Sequence, residues 1–132
     1  MIDDDLFGVP IYYETLGVTC ECPFVNHSCD PNCEYGTFES NYKLIASRNI
    51  EKGEELCIHY GAHDTETSLI AGLQCKCGSY NCVGILKFDF WRDPSFQKKY
   101  WHCMTGYIKS KIDQLNQEQN NNSIQLNSFI AV

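Results

Sequence analysis

Three cysteines, Cys75, Cys77 and Cys82, lie within eight residues of one another and restrict how this chain can fold. Clustered thiolates bind zinc strongly, and a structural zinc site takes four ligands in a tetrahedron. Three local ligands therefore predict a fourth from a distant part of the chain. The alternative is three reduced cysteines around a glycine turn. Spacing does not choose the fourth ligand, because the histidines and six other cysteines are all candidates: Cys20, Cys22, Cys29, Cys33, Cys57 and Cys103.

The compartment decides whether such cysteines bind metal or form disulfides. The sequence opens on the acidic run Met1–Asp5, which is unlike a secretory or mitochondrial leader, and no apolar run approaches the roughly 18 residues of a membrane span. We therefore expect an intracellular protein of the nucleus or cytoplasm with no membrane partner. In that reducing environment clustered cysteines favour metal over disulfides, and we interpret Cys20 and Cys22 as buried or spare thiols.

A second constraint is the polar stretch Phe24–Cys33, Phe-Val-Asn-His-Ser-Cys-Asp-Pro-Asn-Cys. Its Asp-Pro-Asn segment is a turn signal, because proline fixes φ and Asx side chains bond nearby backbone. Asn26 and His27 precede that turn as a polar pair on a tight corner, with two apolar residues behind them. Such a corner can hold a polar ligand through backbone and side-chain hydrogen bonds. An ordinary polar loop is the alternative.

A third motif, Gly53–Tyr60, predicts a turn at Lys52–Gly53 and then a short strand, Leu56–Tyr60, ending on an aromatic hydroxyl. The three motifs follow one another as Asn-His-Ser-Cys, Gly-Glu-Glu-Leu-x-x-x-Tyr and Cys-x-Cys-Gly-x-x-x-Cys. This order and spacing resembles the SET-domain protein-lysine methyltransferases, in the C-terminal half of the SET domain plus the post-SET cysteine segment. The resemblance covers about residues 24–86.

The resemblance implies a zinc site and a methyl-transfer site. In SET proteins with a post-SET segment, the cysteine of the Asn-His-Ser-Cys loop completes the zinc site, which here is Cys29 beside the later three cysteines. Tyr60 matches the catalytic tyrosine, with a strand-end aromatic that packs on the core as its alternative. Asn26 and His27 match S-adenosylmethionine contacts, and Leu86, or the residue before it, would pack near the adenine or the substrate channel.

Two departures from the family bear on activity. The family strand usually ends aromatic-Asp-Tyr, whereas this chain has Ile58-His59-Tyr60, which leaves the number of methyl groups added open. The family's Gly-x-Gly turn, which contacts the donor, is absent before Asn26. We therefore expect an S-adenosylmethionine-dependent protein-lysine methyltransferase in a truncated or partner-completed form. The competing hypothesis is a non-catalytic, zinc-bound interaction module.

The formal net charge of -7 argues against broad binding to nucleic acid, which requires a basic face. It is compatible with a lysine-rich protein substrate, of which a histone is one candidate, although solubility alone would explain it. The target lysine and the oligomeric state stay open. We expect the other histidines, His59, His63 and His102, to be exposed or in the core rather than metal ligands.

The fold we predict is mainly β with a C-terminal α-helix: a SET-like β fold with a threaded loop, lacking the N-terminal half. Strands are expected at Val9–Tyr13, Glu34–Phe38 and Tyr42–Ser47, and one helical turn at Thr65–Ala71. Asp93-Pro94 predicts a helix start. The division is an N-terminal segment (1–23), a SET C-terminal half (24–61), a connector (62–74), a post-SET zinc segment (75–90), a helical segment (91–115) and an Asn/Gln-rich tail (116–132). The helical segment is one amphipathic helix or two broken at Gly106, and we expect residues 116–122 to be disordered.

Overall fold

The structure is a computed structural model that describes residues 25–38 and 41–130. The predicted strand at Val9–Tyr13 and the two thiols Cys20 and Cys22 lie outside the described residues. No helix in the described part of the chain is long and apolar enough to cross a bilayer.

Within the described residues, four strands form two separate two-stranded sheets. An antiparallel hairpin pairs β2 with β3, placing Cys33 opposite Ala46 and Phe38 opposite Asn41, which confirms the predicted pair of strands. A parallel pair joins β1 to β4, with Asn26 opposite Cys57 and the following residues also in register. The bounds are β1 Asn26–His27, β2 Cys33–Phe38, β3 Asn41–Ala46 and β4 Cys57–Ile58.

The strand predicted at Leu56–Tyr60 is shorter than expected and covers only β4. A 3₁₀ turn, Tyr60–Ala62, follows at once. His59 causes the change of direction, because its backbone is extended and its ring Nδ1 accepts the Gly61 N–H at 3.1 Å. The tyrosine therefore begins a turn instead of ending a strand.

Asn32 joins the two sheets. Its side chain is buried, donates through Nδ2 to the Glu55 carbonyl at 2.8 Å and accepts the Cys57 N–H on Oδ1 at 2.9 Å. Its own carbonyl accepts the Ser47 N–H at 2.9 Å. Because one buried amide satisfies the backbone at the start of β4, this asparagine fixes where the parallel pair begins.

The helical part of the chain contains α1, Pro94–Tyr100, and α2, Gly106–Ile130, with 3₁₀ turns at Phe90–Arg92 and Trp101–Cys103. Asp93 caps α1 by accepting the Ser95 N–H at 2.9 Å, with proline at the first helical position, so the predicted start is confirmed. Of the two alternatives, one helix or two broken at Gly106, the structure has two helices, and the second begins at Gly106.

Two predictions in the helical region are wrong. The Asn/Gln-rich segment is helical through Ile130 instead of disordered. No glycine or proline follows Gly106 to end the helix, and Gln and Leu propagate it readily. The helical turn expected at Thr65–Ala71 is a run of tight turns, in which Ser68 N–H donates to Thr65 and Ala71 N–H donates to Ser68, each three residues back.

The main core packs α1 and the start of α2 against the 3₁₀ turns. Its buried members are Ala62, Trp91, Phe96, Tyr100, Cys103, Met104, Ile108 and Ile112. His59 inserts its ring here, 4.6 Å from the Phe90 ring and 4.7 Å from the Phe96 ring. The helical aromatic residues Phe96 and Tyr100 therefore belong to the core, and the partly buried Tyr107 packs against it.

Position 61 has no room for a side chain, because the Phe90 ring packs directly against it. A Cβ at Gly61 would lie 2.5 Å from Cδ2 of Phe90, whereas a Cβ at Gly106 meets nothing within 4 Å. We predict that Gly61→Ala lowers the free energy of unfolding by about 1–3 kcal/mol, as overpacked cores do. Gly106→Ala, the matched control, should leave stability unchanged or raise it. Chemical denaturation measures both, and equal stabilities of the two variants would contradict this packing.

Burial lowers the pKa of His59 to about 3, and the charge of His27 adds to this effect. The ring is neutral in both folded and unfolded chains well above pH 6.5. Between about pH 6.5 and pH 3 the unfolded chain takes up a proton that the folded chain refuses, so stability falls as the pH is lowered. We predict that an NMR titration finds the His59 ring neutral at pH 5. A ring that titrates near pH 6.5 would contradict the buried position.

Candidate functional site

Cys29, the cysteine of the Asn-His-Ser-Cys motif, lies close to Cys75, Cys77 and Cys82. The four sulfur atoms lie within 4.8 Å of one another, and the Cys29 and Cys75 sulfurs are 3.9 Å apart. All four residues are free thiols. Two sulfurs bound at roughly 2.3 Å to one tetrahedral zinc are about 3.8 Å apart, so the arrangement fits a metal ion. The group that the structure assembles is Cys29, Cys75, Cys77 and Cys82.

The thiols of this cluster differ in acidity. Burial, together with the neighbouring thiols, raises the pKa of Cys29 to about 12. Burial also opposes ionisation of Cys77, but hydrogen bonds outweigh it, chiefly from the Ser79 hydroxyl 2.9 Å away, and lower its pKa to about 5. One thiolate forms readily and its neighbours resist further charge. A divalent cation would relieve that repulsion, so the donor set is chemically suited to metal.

Hydrogen bonds to backbone carbonyls also hold the segments of the cluster together. Asn81 donates from Nδ2 to the Cys29 carbonyl at 2.9 Å, across 52 residues of chain. Cys75 N–H donates to the Gly84 carbonyl at 2.6 Å, and Gly84 has a positive φ of 78° that suits only glycine well. Sequence reasoning missed Asn81, because an asparagine between cysteines looks like any turn residue.

The apolar residues after the cysteines divide between core and surface. Leu86 is buried beside Cys29 and Phe88, and Tyr60 packs against this same group. The neighbouring Ile85 is exposed. The sequence analysis named Ile85 and Leu86 as candidates for the cofactor or substrate channel. Of these two, Leu86 is in the buried cluster against which Tyr60 packs.

His27 connects the tyrosine to the cysteine cluster. Its Nδ1 accepts the Tyr60 N–H at 3.1 Å, so in the neutral ring Nε2 carries the proton. Nε2 lies 3.4 Å from the Cys29 sulfur and donates to it. Burial lowers the pKa of His27 to about 4, which keeps the ring neutral at physiological pH. The sequence analysis assigned His27 only to the methyl donor and missed this bridge.

Tyr60 is fixed at both ends. Its hydroxyl donates to the Val25 carbonyl at 2.7 Å, directly before Asn26, and its backbone N–H is held by His27. Burial raises its pKa, and the charge of Asp64 adds to the effect. The phenol therefore stays protonated and serves as a hydrogen-bond donor rather than a base.

The backbone groups of His27 face away from β4. Ser28 N–H donates to the Ile58 carbonyl at 2.9 Å, so in this parallel ladder the N–H and C=O of His27 point to the opposite side of β1. Asn26 is exposed, and its side chain donates to the Glu55 carboxylate at 2.7 Å. These backbone and amide groups are of the kind that binds a polar cofactor.

The remaining histidines lie where the sequence placed them. His59 and His63 are buried in the core, and the ring of His63 packs edge-on against Tyr35 at 5.4 Å. His102 is on the surface, with 59% of its side chain exposed.

Comparison with known proteins gives the family. The sequence profile of the SET domain matches residues 7–61. The chain is 40% identical over 67 residues to a histone-lysine N-methyltransferase, H3 lysine-36 specific, of Mycosarcoma maydis, covering 48% of this chain and 7% of that protein. It is 44% identical over 86 residues to human histone-lysine N-methyltransferase 2D, covering 62% of this chain and 1% of that protein.

A shorter relative is Methyltransferase flvH of Aspergillus flavus, 30% identical over 78 residues, with 59% of this chain and 43% of the relative covered. The chain thus spans less than half the length of each of these relatives. No solved structure gives a significant match. Residues 7–61 match the SET-domain family, and the relatives named above support that assignment.

Proposed function

We propose that this chain supplies the C-terminal half of a SET domain with a zinc-binding post-SET segment, and that it acts in S-adenosylmethionine-dependent methylation of a protein lysine. The observation that carries the proposal is the junction of Cys29, His27 and Tyr60, in which one imidazole contacts both the cysteine cluster and the tyrosine. A loop with no chemical role would not need three such residues in contact across more than thirty positions of chain.

The chemistry needs a neutral amine and a fixed direction of attack. A free lysine has a pKa near 10.4 and is charged at neutral pH, but desolvation in a narrow apolar site lowers that pKa. Tyr60, held protonated, orients the incoming amine by accepting or donating a hydrogen bond at its oxygen. Correct alignment of amine and methyl carbon can supply several kcal/mol of the barrier, so no strong base is required.

The cofactor and metal residues follow from the same geometry. When bound, S-adenosylmethionine supplies an activated methyl group. Asn26 and His27 would hold it at the side of β1 that faces away from β4, and Leu86 would pack beside it from the cysteine cluster. The zinc ligands in this proposal are Cys29, Cys75, Cys77 and Cys82.

The substrate in this proposal is a lysine-containing protein, with a histone as the leading candidate. Two of the relatives described above are named as histone-lysine methyltransferases. The net charge of -7 suits a basic partner and disfavours direct nucleic-acid binding. A nuclear or cytoplasmic location goes with this substrate and with reduced cysteines.

The proposal includes the threaded loop of the SET fold, in which residues 25–33 pass beneath the segment that ends at Tyr60. The parallel pairing of β1 with β4 supports it, because non-local parallel pairing brings the two segments together. The chain contains no Gly-x-Gly sequence. The part of the donor site that this turn forms in the family would therefore come from a polypeptide segment outside these 132 residues.

A second candidate is a non-catalytic SET and post-SET module that binds zinc and a protein partner. The position that is usually acidic in the family is His59 here, and its ring is buried in the core. This arrangement maintains the fold without serving a reaction, and it is the observation that favours the second candidate.

Metal content tests the zinc site. We predict that Cys77→Ser abolishes the tightly bound zinc, because three remaining thiols leave the tetrahedron incomplete. Cys57→Ser, a matched change at a half-buried cysteine outside the cluster, should retain the metal. Elemental analysis of freshly purified, reduced protein measures both. Wild-type protein without tightly bound metal would remove the zinc proposal.

Methyl transfer tests the role of Tyr60. With labelled S-adenosylmethionine and a lysine-rich protein, we predict that Tyr60→Phe lowers transfer by at least about 100-fold, the usual cost of losing one positioned donor. Tyr80→Phe makes the same change at a side chain that is 92% exposed and should have no effect.

Calorimetry with S-adenosylmethionine separates the two candidates. Donor binding together with transfer that depends on Tyr60 supports the enzyme. A folded, zinc-loaded chain that neither binds the donor nor transfers methyl groups supports the non-catalytic module.

A further inference from the structure

We propose that Glu34, His102 and Cys103 form a second zinc site, separate from the four-cysteine cluster. Their carboxylate oxygen, imidazole nitrogen and thiol sulfur all lie within 4.8 Å of one another. The Glu34 Oε2 and the His102 Nε2 are 2.8 Å apart. The inference stands apart from the proposed methyl transfer, because none of these three residues belongs to that site.

The fold brings these donors together from positions 68 residues apart. Glu34 lies on β2 between the buried residues Cys33 and Tyr35, so strand alternation directs its side chain to the opposite face. That face meets the 3₁₀ turn Trp101–Cys103. Thr105 N–H donates to the Ala62 carbonyl at 3.2 Å and anchors the end of this turn to the core.

The donor set suits zinc better than a hard cation. Magnesium and calcium prefer oxygen alone, whereas zinc accepts thiolate, imidazole and carboxylate together. Around a tetrahedral zinc these donors would be roughly 3.3–3.6 Å apart. The Glu34–His102 separation of 2.8 Å is shorter than this range, and the separations to the Cys103 sulfur are no more than 4.8 Å, so side-chain movements of an ångström or so would suffice. Three protein ligands leave a fourth position, which faces solvent on the side of the exposed His102 ring.

A second observation points to a missing ligand at this place. Tyr100 is buried, and its hydroxyl has no hydrogen-bond partner among the described residues. Besides burial, the charges of Cys103, Asp30, Cys29 and Glu34, in falling order, raise the pKa of this hydroxyl. Buried hydroxyls are almost always hydrogen-bonded, so an unpaired one directly before the turn that carries His102 and Cys103 supports a site that is completed on binding.

An ion pair between Glu34 and His102 is the competing explanation. It accounts for their 2.8 Å contact and leaves Cys103 as one of the buried core thiols. Among the described residues the Cys103 thiol contacts the Tyr100 carbonyl of its own turn at 3.3 Å, a bond that the sulfur would exchange for a cation. Sequence reasoning placed His102 among the exposed or core histidines, because the glutamate that it meets is distant in sequence.

Zinc binding tests the site in the whole, untagged chain. Equilibrium dialysis against chelator-buffered zinc, followed by elemental analysis, should find two zinc ions per wild-type chain at high free zinc. We expect one zinc in Glu34→Gln and in His102→Ala, with the affinity of the second site lowered at least about 100-fold, more than the loss of an outer-shell partner causes. Both positions are at the surface, so the variants should fold. Glu118→Gln removes the same charge from an exposed helical position and should keep two.

Each outcome decides the proposal. Two zinc ions in wild type and Glu118→Gln, with one in both site variants, supports it. Wild-type protein that stops at one zinc overturns it, as do site variants that bind as much zinc as wild type. Cys103→Ser, a small change at the buried ligand, should weaken the second site while the four-cysteine site stays loaded. Unchanged binding by this variant would exclude the thiol as a ligand and overturn the site as proposed.

Discussion

The neutral ring of His27 is the interaction on which the rest of the site depends. One nitrogen accepts the Tyr60 N–H and the other donates to the Cys29 sulfur, so a single side chain fixes both the tyrosine and a cysteine of the cluster. This works only while the ring is uncharged, since a protonated imidazole could not accept from the backbone. Burial, which lowers the pKa of His27, therefore maintains the geometry.

The cysteine cluster extends that junction over a long loop. Cys29 and Cys75 are separated by 46 residues. A metal ion between them would restrict the unfolded chain and so stabilise the fold, by an amount that grows slowly with the length of the loop. Asn81 already makes a metal-independent link to the Cys29 carbonyl. The Asn81 amide therefore joins the two segments, and the four thiols lie together at the same junction.

Local signals predicted the elements that have local causes. The Asp93 cap, the hairpin and the aromatic core of the helical region follow from turn chemistry and periodicity. The fourth cysteine did not follow from spacing and came only from the resemblance to a family, because a ligand 46 residues away leaves no local signal. The same holds for Asn32 and for Asn81, each of which satisfies backbone groups far along the chain.

The wrong predictions also have physical reasons. A two-residue strand such as β4 shows no alternation, and the His59 cap that ends it depends on a side chain bonding two residues ahead. The Asn/Gln-rich segment was assigned by composition, whereas the helix that begins at Gly106 continues through it because nothing stops propagation. Composition describes how a segment behaves alone, and here the segment extends an element already anchored by Ile108 and Ile112.

The His27 bridge can be measured directly by long-range ¹H–¹⁵N NMR of zinc-loaded, ¹⁵N-labelled protein at neutral pH. The account predicts a neutral His27 ring with its proton on Nε2, and a scalar coupling between the Tyr60 amide nitrogen and His27 Nδ1 across their hydrogen bond. A ring protonated on Nδ1, or no coupling to Tyr60, would show that the tyrosine and the cysteine cluster are not joined in this way.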